Sequence, residues 1–243
     1  MRGCHRDASA PIAERVGLES ANARPCTWCD GGSGFRGTLV RNFLGRSEAL
    51  DHGIELLRGH DAGYPTTPEA KVRSSQTLIR AREALTSLQR PATEDLLLQF
   101  VRLLLFDAWI GNGDRHGTNW GVIRSPDSLR LAPVYDPAAC LGVELLDRTI
   151  TKILAQGSEA IRKYALRCPS GFGNGARLVK MPEVLAELMT WPLTGPECQR
   201  MIRVFEQLLE TVVGPWLDPV PVEWLSEQRK DFVFKLLAFA WVS

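Results

Sequence analysis

The chain has 243 residues, 44% hydrophobic and 23% charged, so it can bury the core of one domain or of one large lobe with a small appendage. Its 29 basic and 28 acidic residues give a formal net charge of +1, which offers no electrostatic reason for direct binding to nucleic acid or a membrane. The sequence contains no apolar stretch of about 18 residues and no N-terminal segment of signal-peptide type. We therefore expect a cytoplasmic protein whose six cysteines, which follow no regular spacing, are reduced.

The N-terminal part predicts little regular structure. Residues 10–16 predict one short helix, and residues 25–45 predict a β-hairpin. Residues 32–37 match the phosphate-binding pattern G-x-G-x-x-G, but this pattern also needs a strand lysine some way downstream, and none follows. We interpret these glycines as the turn of the hairpin.

The middle of the chain contains the strongest helical signal. Residues 48–57 predict a short helix or turn, and residues 69–88 predict a helix interrupted near its serines. Thr93 is the expected N-cap of a core helix that ends at the glycines of residues 111–113. Its apolar positions are Leu96, Leu97, Phe100, Leu103, Leu104 and Trp109.

A loop and a predicted hairpin follow this helix. Residues 120–123 predict a strand, residues 125–128 a turn and residues 129–135 the returning strand. Such a hairpin brings Asp136 back to the side of Asn119. Two oxygen ligands placed in this way can hold Mg²⁺, which keeps several waters and takes its other oxygens from phosphates.

The order of polar residues in this region is that of phosphoryl transfer. Asp114 stands five positions before Asn119, and Asp136 lies beyond the hairpin. Protein kinases use an Asp to receive the hydroxyl proton, an Asn five residues later on Mg²⁺, and a second metal-binding Asp. A local cap cluster at a helix end also brings such residues together, but the spacing, the hairpin and the second Asp favour a kinase.

The C-terminal half is predicted to be mostly helical. Residues 149–165 predict helical or loosely ordered structure, and residues 167–177 predict a glycine-rich loop. Ser170 in this loop is either a phosphorylation site or a turn residue, and we favour the turn. Residues 195–216 and 222–240 predict two closing amphipathic helices.

The loop sequence carries a family resemblance. The string IGNGDRHGTN with the downstream PVYDP resembles the catalytic core of HipA-like serine/threonine kinases, whose pattern is IGN-x-D-x-H-x-x-N followed by P-x-YD. The resemblance implies that Asp114 is the catalytic base and that Arg115 and His116 brace the loop, with His116 fixing Asp114. It also implies that Asn119 and Asp136 bind Mg²⁺ and, through it, ATP.

The resemblance also implies an architecture. It is an α+β fold with a mostly helical, kinase-like large lobe at residues 46–243, a catalytic-loop hairpin, and a remnant of the small lobe at residues 1–45. The only lysine before Asp107 is Lys71, on the wrong side of the presumed hinge for a nucleotide lysine. The chain is therefore expected to begin after the position of the family's nucleotide-binding lysine.

By resemblance, the expected function is ATP- and Mg²⁺-dependent phosphorylation of serine or threonine in a protein substrate. Members of this family are often toxins paired with a DNA-binding antitoxin, so such a partner is implied too. Two alternatives remain open. One is a catalytically inactive, truncated kinase that acts as a binding or regulatory module. The other is a small-molecule or lipid kinase, since lipid-kinase-like catalytic loops also contain the DRH triplet.

Overall fold

The computed structural model describes residues 13, 16–30, 33–65, 74–88, 93–192, 194–218 and 220–239. Within these ranges the fold combines small antiparallel sheets with a larger helical part, which confirms the expected α+β class. The helix predicted over residues 10–16 falls mostly outside the described residues, although Ala13 and Val16 are both buried. The first part of the helix predicted over residues 69–88, with Lys71, also lies outside them.

The strands are β1 (Ala23–Asp30), β2 (Ser33–Val40), β3 (Ala49–His52), β4 (Gly121–Arg124), β5 (Leu129–Leu131), β6 (Pro169–Gly173) and β7 (Leu178–Lys180). Antiparallel pairing gives a β1–β2 hairpin, a sheet in the order β3-β4-β5, and a β6–β7 hairpin. The hairpins predicted over residues 25–45 and 120–135 are thus confirmed, with their strands at residues 23–40 and 121–131.

Three local predictions need correction. Asp30 pairs with Ser33, so Gly34 and Gly37 lie within β2 and are not the hairpin turn. The helix predicted over residues 48–57 begins as β3, because this segment pairs with β4. The predicted glycine-rich loop contains β6, and Ser170 lies fully buried in this strand. Ser170 is therefore neither a turn residue nor accessible for phosphorylation in this conformation.

The helices are α1 (Gly53–His60), α2 (Leu78–Ser87), α3 (Thr93–Ile110), α4 (Asp147–Ala155), α5 (Ser158–Ala165), α6 (Met181–Leu188), α7 (Thr194–Leu208), α8 (Gly214–Leu217) and α9 (Glu227–Phe239). A π-helical turn, Leu209–Val213, joins α7 to α8. Gly157 adopts a left-handed φ of 80° and separates α4 from α5. No helix in the described ranges is both long and apolar enough to cross a membrane.

The central helix α3 organises the core. It packs against α2, α6, α7, α9 and β5, and most of its side chains are buried. The ring of Trp109 stacks on Phe205 with centroids 4.3 Å apart, and its Nε1 donates to the Leu237 carbonyl at 3.1 Å. Burial on several faces explains why α3 is apolar along its length.

The end of α3 places the predicted catalytic loop, Asp114–Asn119, next to α1 and β4. Gly111 ends the helix with a left-handed φ of 65°, a conformation that is common at helix C-termini. At the other end of the loop, Gly53 N donates to the Trp120 carbonyl and Ile54 N donates to the Gly117 carbonyl, both at 2.8 Å. The start of α1 therefore fixes the chain that leaves the loop.

Two glycines of α1 provide a test of this contact. A Cβ atom at Gly53 would lie 2.2 Å from Cε2 of Trp120, whereas one at Gly59 would meet no heavy atom within 4 Å. We expect Gly53→Ala to lower the free energy of unfolding by roughly 1–3 kcal/mol through overpacking. Gly59→Ala should raise it by about 0.5–1 kcal/mol, because alanine loses less backbone entropy in a helix.

Urea denaturation of both variants measures these changes. Equal effects of the two substitutions would show that α1 does not pack on Trp120 as described.

Candidate active site

The five-residue spacing between Asp114 and Asn119 has a structural cause. The Asn119 side chain is buried, and its Nδ2 donates to the backbone carbonyl of Asp114 at 2.9 Å. The Asn119 backbone N donates to the His116 carbonyl at 2.8 Å. The asparagine thus closes the loop with its amide nitrogen, which leaves Oδ1 as the acceptor end of the same group.

His116 lies beside the predicted base. Its Nε2 is 3.6 Å from Oδ2 of Asp114, and its Nδ1 is 2.9 Å from Oγ1 of Thr118. Both Asp114 and His116 are partly exposed, so solvent and the hydroxyl group of a substrate can reach them. The position of His116 agrees with a residue that orients Asp114, and its catalytic role stays a prediction.

Asp136 lies at the far end of the hairpin in an unusual backbone conformation. Its side chain is exposed and its φ is 48°, in the left-handed region that few residues other than glycine adopt. Aspartate tolerates this region better than most residues. Such conformations are concentrated at functional sites, where the surrounding structure maintains them.

Tyr135 anchors the backbone next to Asp136. Its hydroxyl donates to the Thr118 carbonyl at 3.0 Å and lies 3.2 Å from Nδ1 of His52, and its ring stacks on Phe43 with centroids 5.6 Å apart. Burial raises the pKa of Tyr135 well above its ordinary value, although Arg115 opposes the shift. The phenol therefore stays neutral and remains a hydrogen-bond donor at physiological pH.

Arg115 links the loop to the segment that carries Asp136. Its Nη1 donates to the Asn119 carbonyl at 2.5 Å and to the Tyr135 carbonyl at 3.2 Å. On the other side of Asp136, Gly113 N donates to the Ala139 carbonyl at 3.0 Å. The loop thus binds the chain both before and after Asp136. We refer to the three predicted residues, Asp114, Asn119 and Asp136, as the cluster.

A buried ion pair holds Arg115 in place. Nε and Nη2 donate to Oδ2 and Oδ1 of Asp107, each at 2.7 Å, and the two side chains are 1% and 0% exposed. Burial acts to lower the pKa of Arg115, but the Asp107 carboxylate outweighs it, so the pKa lies above its ordinary value. Asn112 Nδ2 also donates to Asp107 at 2.8 Å. Sequence reasoning missed Asp107, although a single acidic residue in the apolar run LLLFDAWI was a signal for it.

A cavity of about 540 Å³ adjoins Asp136, which is within the ~300–1,000 Å³ range of ligand sites. It lies between the β1–β2 hairpin and residues 134–138, and no lysine lines it among the described residues. Its lining includes Ala21, Ala23, Val40, Phe43, Val134, Tyr135 and Asp136. A larger cavity of about 750 Å³ shares Ser20 and Phe43 with it but contains none of the predicted site residues.

The donor set of the cluster fits Mg²⁺. Asn119 Oδ1 and the Asp136 carboxylate are hard oxygen donors of the kind that this ion prefers. Within the described ranges, no group of three or more His, Cys, Asp or Glu side chains is placed to hold a metal. A magnesium ion bound here would therefore take its remaining ligands from water and from substrate phosphates.

Comparison with known proteins assigns the family. The model of the HipA-like C-terminal domain matches residues 59–189, which is more than half of the chain and includes the whole loop and Asp136. The chain belongs to the HipA-like C-terminal domain family. The expected family is thereby confirmed.

Two similarities to a bacterial kinase agree with this assignment. The chain is 23% identical over 142 residues to the serine/threonine-protein kinase CtkA of Helicobacter pylori, a match that spans 57% of this chain and 42% of that protein. The crystal structure of the H. pylori proinflammatory kinase CtkA superposes with a TM-score of 0.71 at 18% identity, covering 96% of this chain and 80% of that one. The HipA-like chain thus shares the fold of this kinase.

The importance of the buried ion pair can be tested by removing one charge. We expect Asp107→Asn to lower the free energy of unfolding by roughly 3–5 kcal/mol, because it leaves the Arg115 charge buried without its counter-ion. The matched control is Asp231→Asn, which breaks an exposed pair with Lys235 and should have little effect. Urea denaturation measures both. A similarly small change for Asp107→Asn would mean that the pair does not hold the loop.

Proposed function

We propose that this chain carries the catalytic lobe of an ATP- and Mg²⁺-dependent protein kinase that phosphorylates serine or threonine. The observation that supports this most directly is the attachment of the Asp114–Asn119 loop to the chain on both sides of Asp136, through Arg115 and Gly113. Membership of the HipA-like family and the similarity to a serine/threonine kinase support it further.

In the proposed reaction, Asp114 is the general base. The hydroxyl oxygen of the acceptor attacks the γ-phosphorus of ATP, and the bond from that phosphorus to the β,γ-bridging oxygen breaks. The hydroxyl proton passes to the Asp114 carboxylate, and ADP leaves with the bond electrons. His116, 3.6 Å from this carboxylate, orients it toward the acceptor.

Asn119 and Asp136 are the proposed ligands of Mg²⁺, which when bound neutralises charge on the nucleotide phosphates. The cavity beside Asp136 is the proposed site of the nucleotide base. Its mostly apolar walls, with the stacked rings of Phe43 and Tyr135, suit a flat heteroaromatic group.

One observation favours a second candidate function, a kinase-derived binding module without phosphoryl transfer. Kinases pair a lysine with the nucleotide phosphates, and no lysine lines the cavity among the described residues. A protein substrate and a DNA-binding antitoxin belong to our proposal through the family resemblance alone. The division at residues 45 and 46 and the cytoplasmic location stay predictions.

Substitution of the proposed base tests catalysis. With radiolabelled ATP, Mg²⁺ and casein or myelin basic protein as acceptor, Asp114→Asn should reduce the transfer rate by about 10²- to 10⁴-fold. Because Asp114 is not a proposed metal ligand, nucleotide binding should persist. Asp127→Asn, at an exposed carboxylate in the β4–β5 turn, is the control and should leave the rate unchanged.

The same assay distinguishes the candidate functions. Transfer only to a small-molecule or lipid acceptor would replace the protein-kinase proposal with the corresponding alternative. Binding of ATP without transfer to any acceptor would favour the binding module.

Substitution of the proposed metal ligand tests cation-dependent binding. Titration calorimetry with ATP should show tighter binding in Mg²⁺ than in EDTA. Asp136→Asn should remove most of this difference, since one charged oxygen ligand is lost. The enzyme proposal is refuted if the unsubstituted chain shows neither binding heat nor a thermal shift at millimolar nucleotide with Mg²⁺.

A further inference from the structure

Gln76 is a buried amide that lies against the candidate catalytic loop from outside it. The residue is 1% exposed and stands in the short link before α2. Its Nε2 donates to the Arg115 carbonyl at 2.7 Å and to the Gly171 carbonyl at 3.2 Å. A Cβ atom at Gly117 would lie 3.0 Å from Gln76 Oε1. The amide therefore touches the loop directly after Asp114 and again two residues later.

The strand β6 also packs closely on the same loop. A Cβ atom at Gly113 would lie 2.8 Å from Cγ of Pro169, and one at Gly171 would lie 2.5 Å from the Arg115 backbone N. Gly171 also has a left-handed φ of 76°, so a side chain at this position is excluded twice over. Only a glycine allows β6 to approach the loop this closely.

Gln76 joins the loop, β6 and its own segment. The two side-chain hydrogen bonds connect the loop to β6, and the backbone carbonyl of Gln76 accepts from Gly173 N at 2.9 Å. Next to it, the Ser74 carbonyl accepts from Gly175 N at 2.8 Å. Gln76 is thus held through both its side chain and its backbone, and its position fixes the Arg115 carbonyl.

The chemistry of this contact requires an amide. The partners of Nε2 are two backbone carbonyls, which can only accept, and a primary amide nitrogen supplies two N–H donors. A glutamate of the same shape offers no donor when ionised and would face both carbonyls with negative charge. A methionine of similar length offers neither donor nor charge.

We propose that Gln76 is a positioning residue for phosphoryl transfer, which holds the main chain directly after Asp114 and so sets the reach of the Asp114 carboxylate toward the acceptor hydroxyl. This inference rests on the proposed kinase function. It assigns Gln76 no contact with substrate or nucleotide.

The first test separates turnover from nucleotide binding. In Gln76→Glu and Gln76→Met, we expect kcat for casein phosphorylation to fall by about 10- to 100-fold, because a small displacement of a catalytic group has effects of this size. The KM for ATP should stay unchanged. Gln76→Met carries no charge, so it provides the result if Gln76→Glu fails to fold.

The matched control is Ser170→Ala in β6. Ser170 is fully buried, and its hydroxyl donates to the Val179 carbonyl at 2.8 Å and accepts from Phe172 N at 3.1 Å. Both bonds lie within the β6–β7 hairpin, so this substitution removes buried hydrogen bonds near the site but none that joins β6 to the loop. It should lower the melting temperature but leave kcat unchanged. An unchanged kcat in the Gln76 variants, or an equal fall in Ser170→Ala, would overturn the proposal.

Amide hydrogen exchange gives a readout that does not need activity. Exchange of residues 113–119 should become faster in Gln76→Met than in Ser170→Ala, because only the first variant releases the loop. If the unsubstituted chain transfers no phosphate, the proposed function fails and exchange decides the role of Gln76. Equal protection of residues 113–119 in both variants would then refute it.

Discussion

Withdrawal of a guanidinium group from water costs several kcal/mol unless a well-placed partner compensates for it. Arg115 meets this condition through the two-point contact with Asp107 inside the end of α3. Because the pair is buried, the position of the guanidinium follows that of the most buried helix of the core. Its remaining Nη1 donates to two carbonyls, those of Asn119 and Tyr135. The rigidity of the core is thereby passed to two chain segments that are irregular on their own.

This arrangement explains why the cluster does not need regular secondary structure around its functional groups. Asn119 is the last residue of the loop before β4, and Asp136 lies beyond β5. Neither position has a ladder of backbone hydrogen bonds to fix it. The bonds from Arg115 and Gly113 take that role, and the phenol of Tyr135 adds a further link to Thr118. The left-handed backbone of Asp136 is maintained within this network.

Local patterns in the sequence predicted much of this site. The apolar periodicity gave α3 at the right place, and the glycines after it marked its end. The order Asp114, Asn119, Asp136 led to the family that comparison confirmed, because spacing in a loop is a local property. Asp107 was not predicted, since an acidic residue in an apolar helix reveals its partner only after the loop has folded back. The glycines of residues 167–177 predict a loop where β6 forms, because glycine weakens the interior of a strand. Here they are required by the close approach to Arg115, which is a tertiary effect.

The contacts of the loop also have a consequence for how the protein is made. The first part of the loop and the residue before it, residues 113–117, are held by Gln76 from earlier in the chain and by β6 from well after the loop. During vectorial synthesis from the N-terminus, α3 can form as soon as it emerges, since its bonds are local, whereas contacts of high sequence separation form late. The loop therefore acquires its last contacts only after Gly173 has left the ribosome, and a nascent chain that ends before β6 contains every residue of the cluster without the support of that strand.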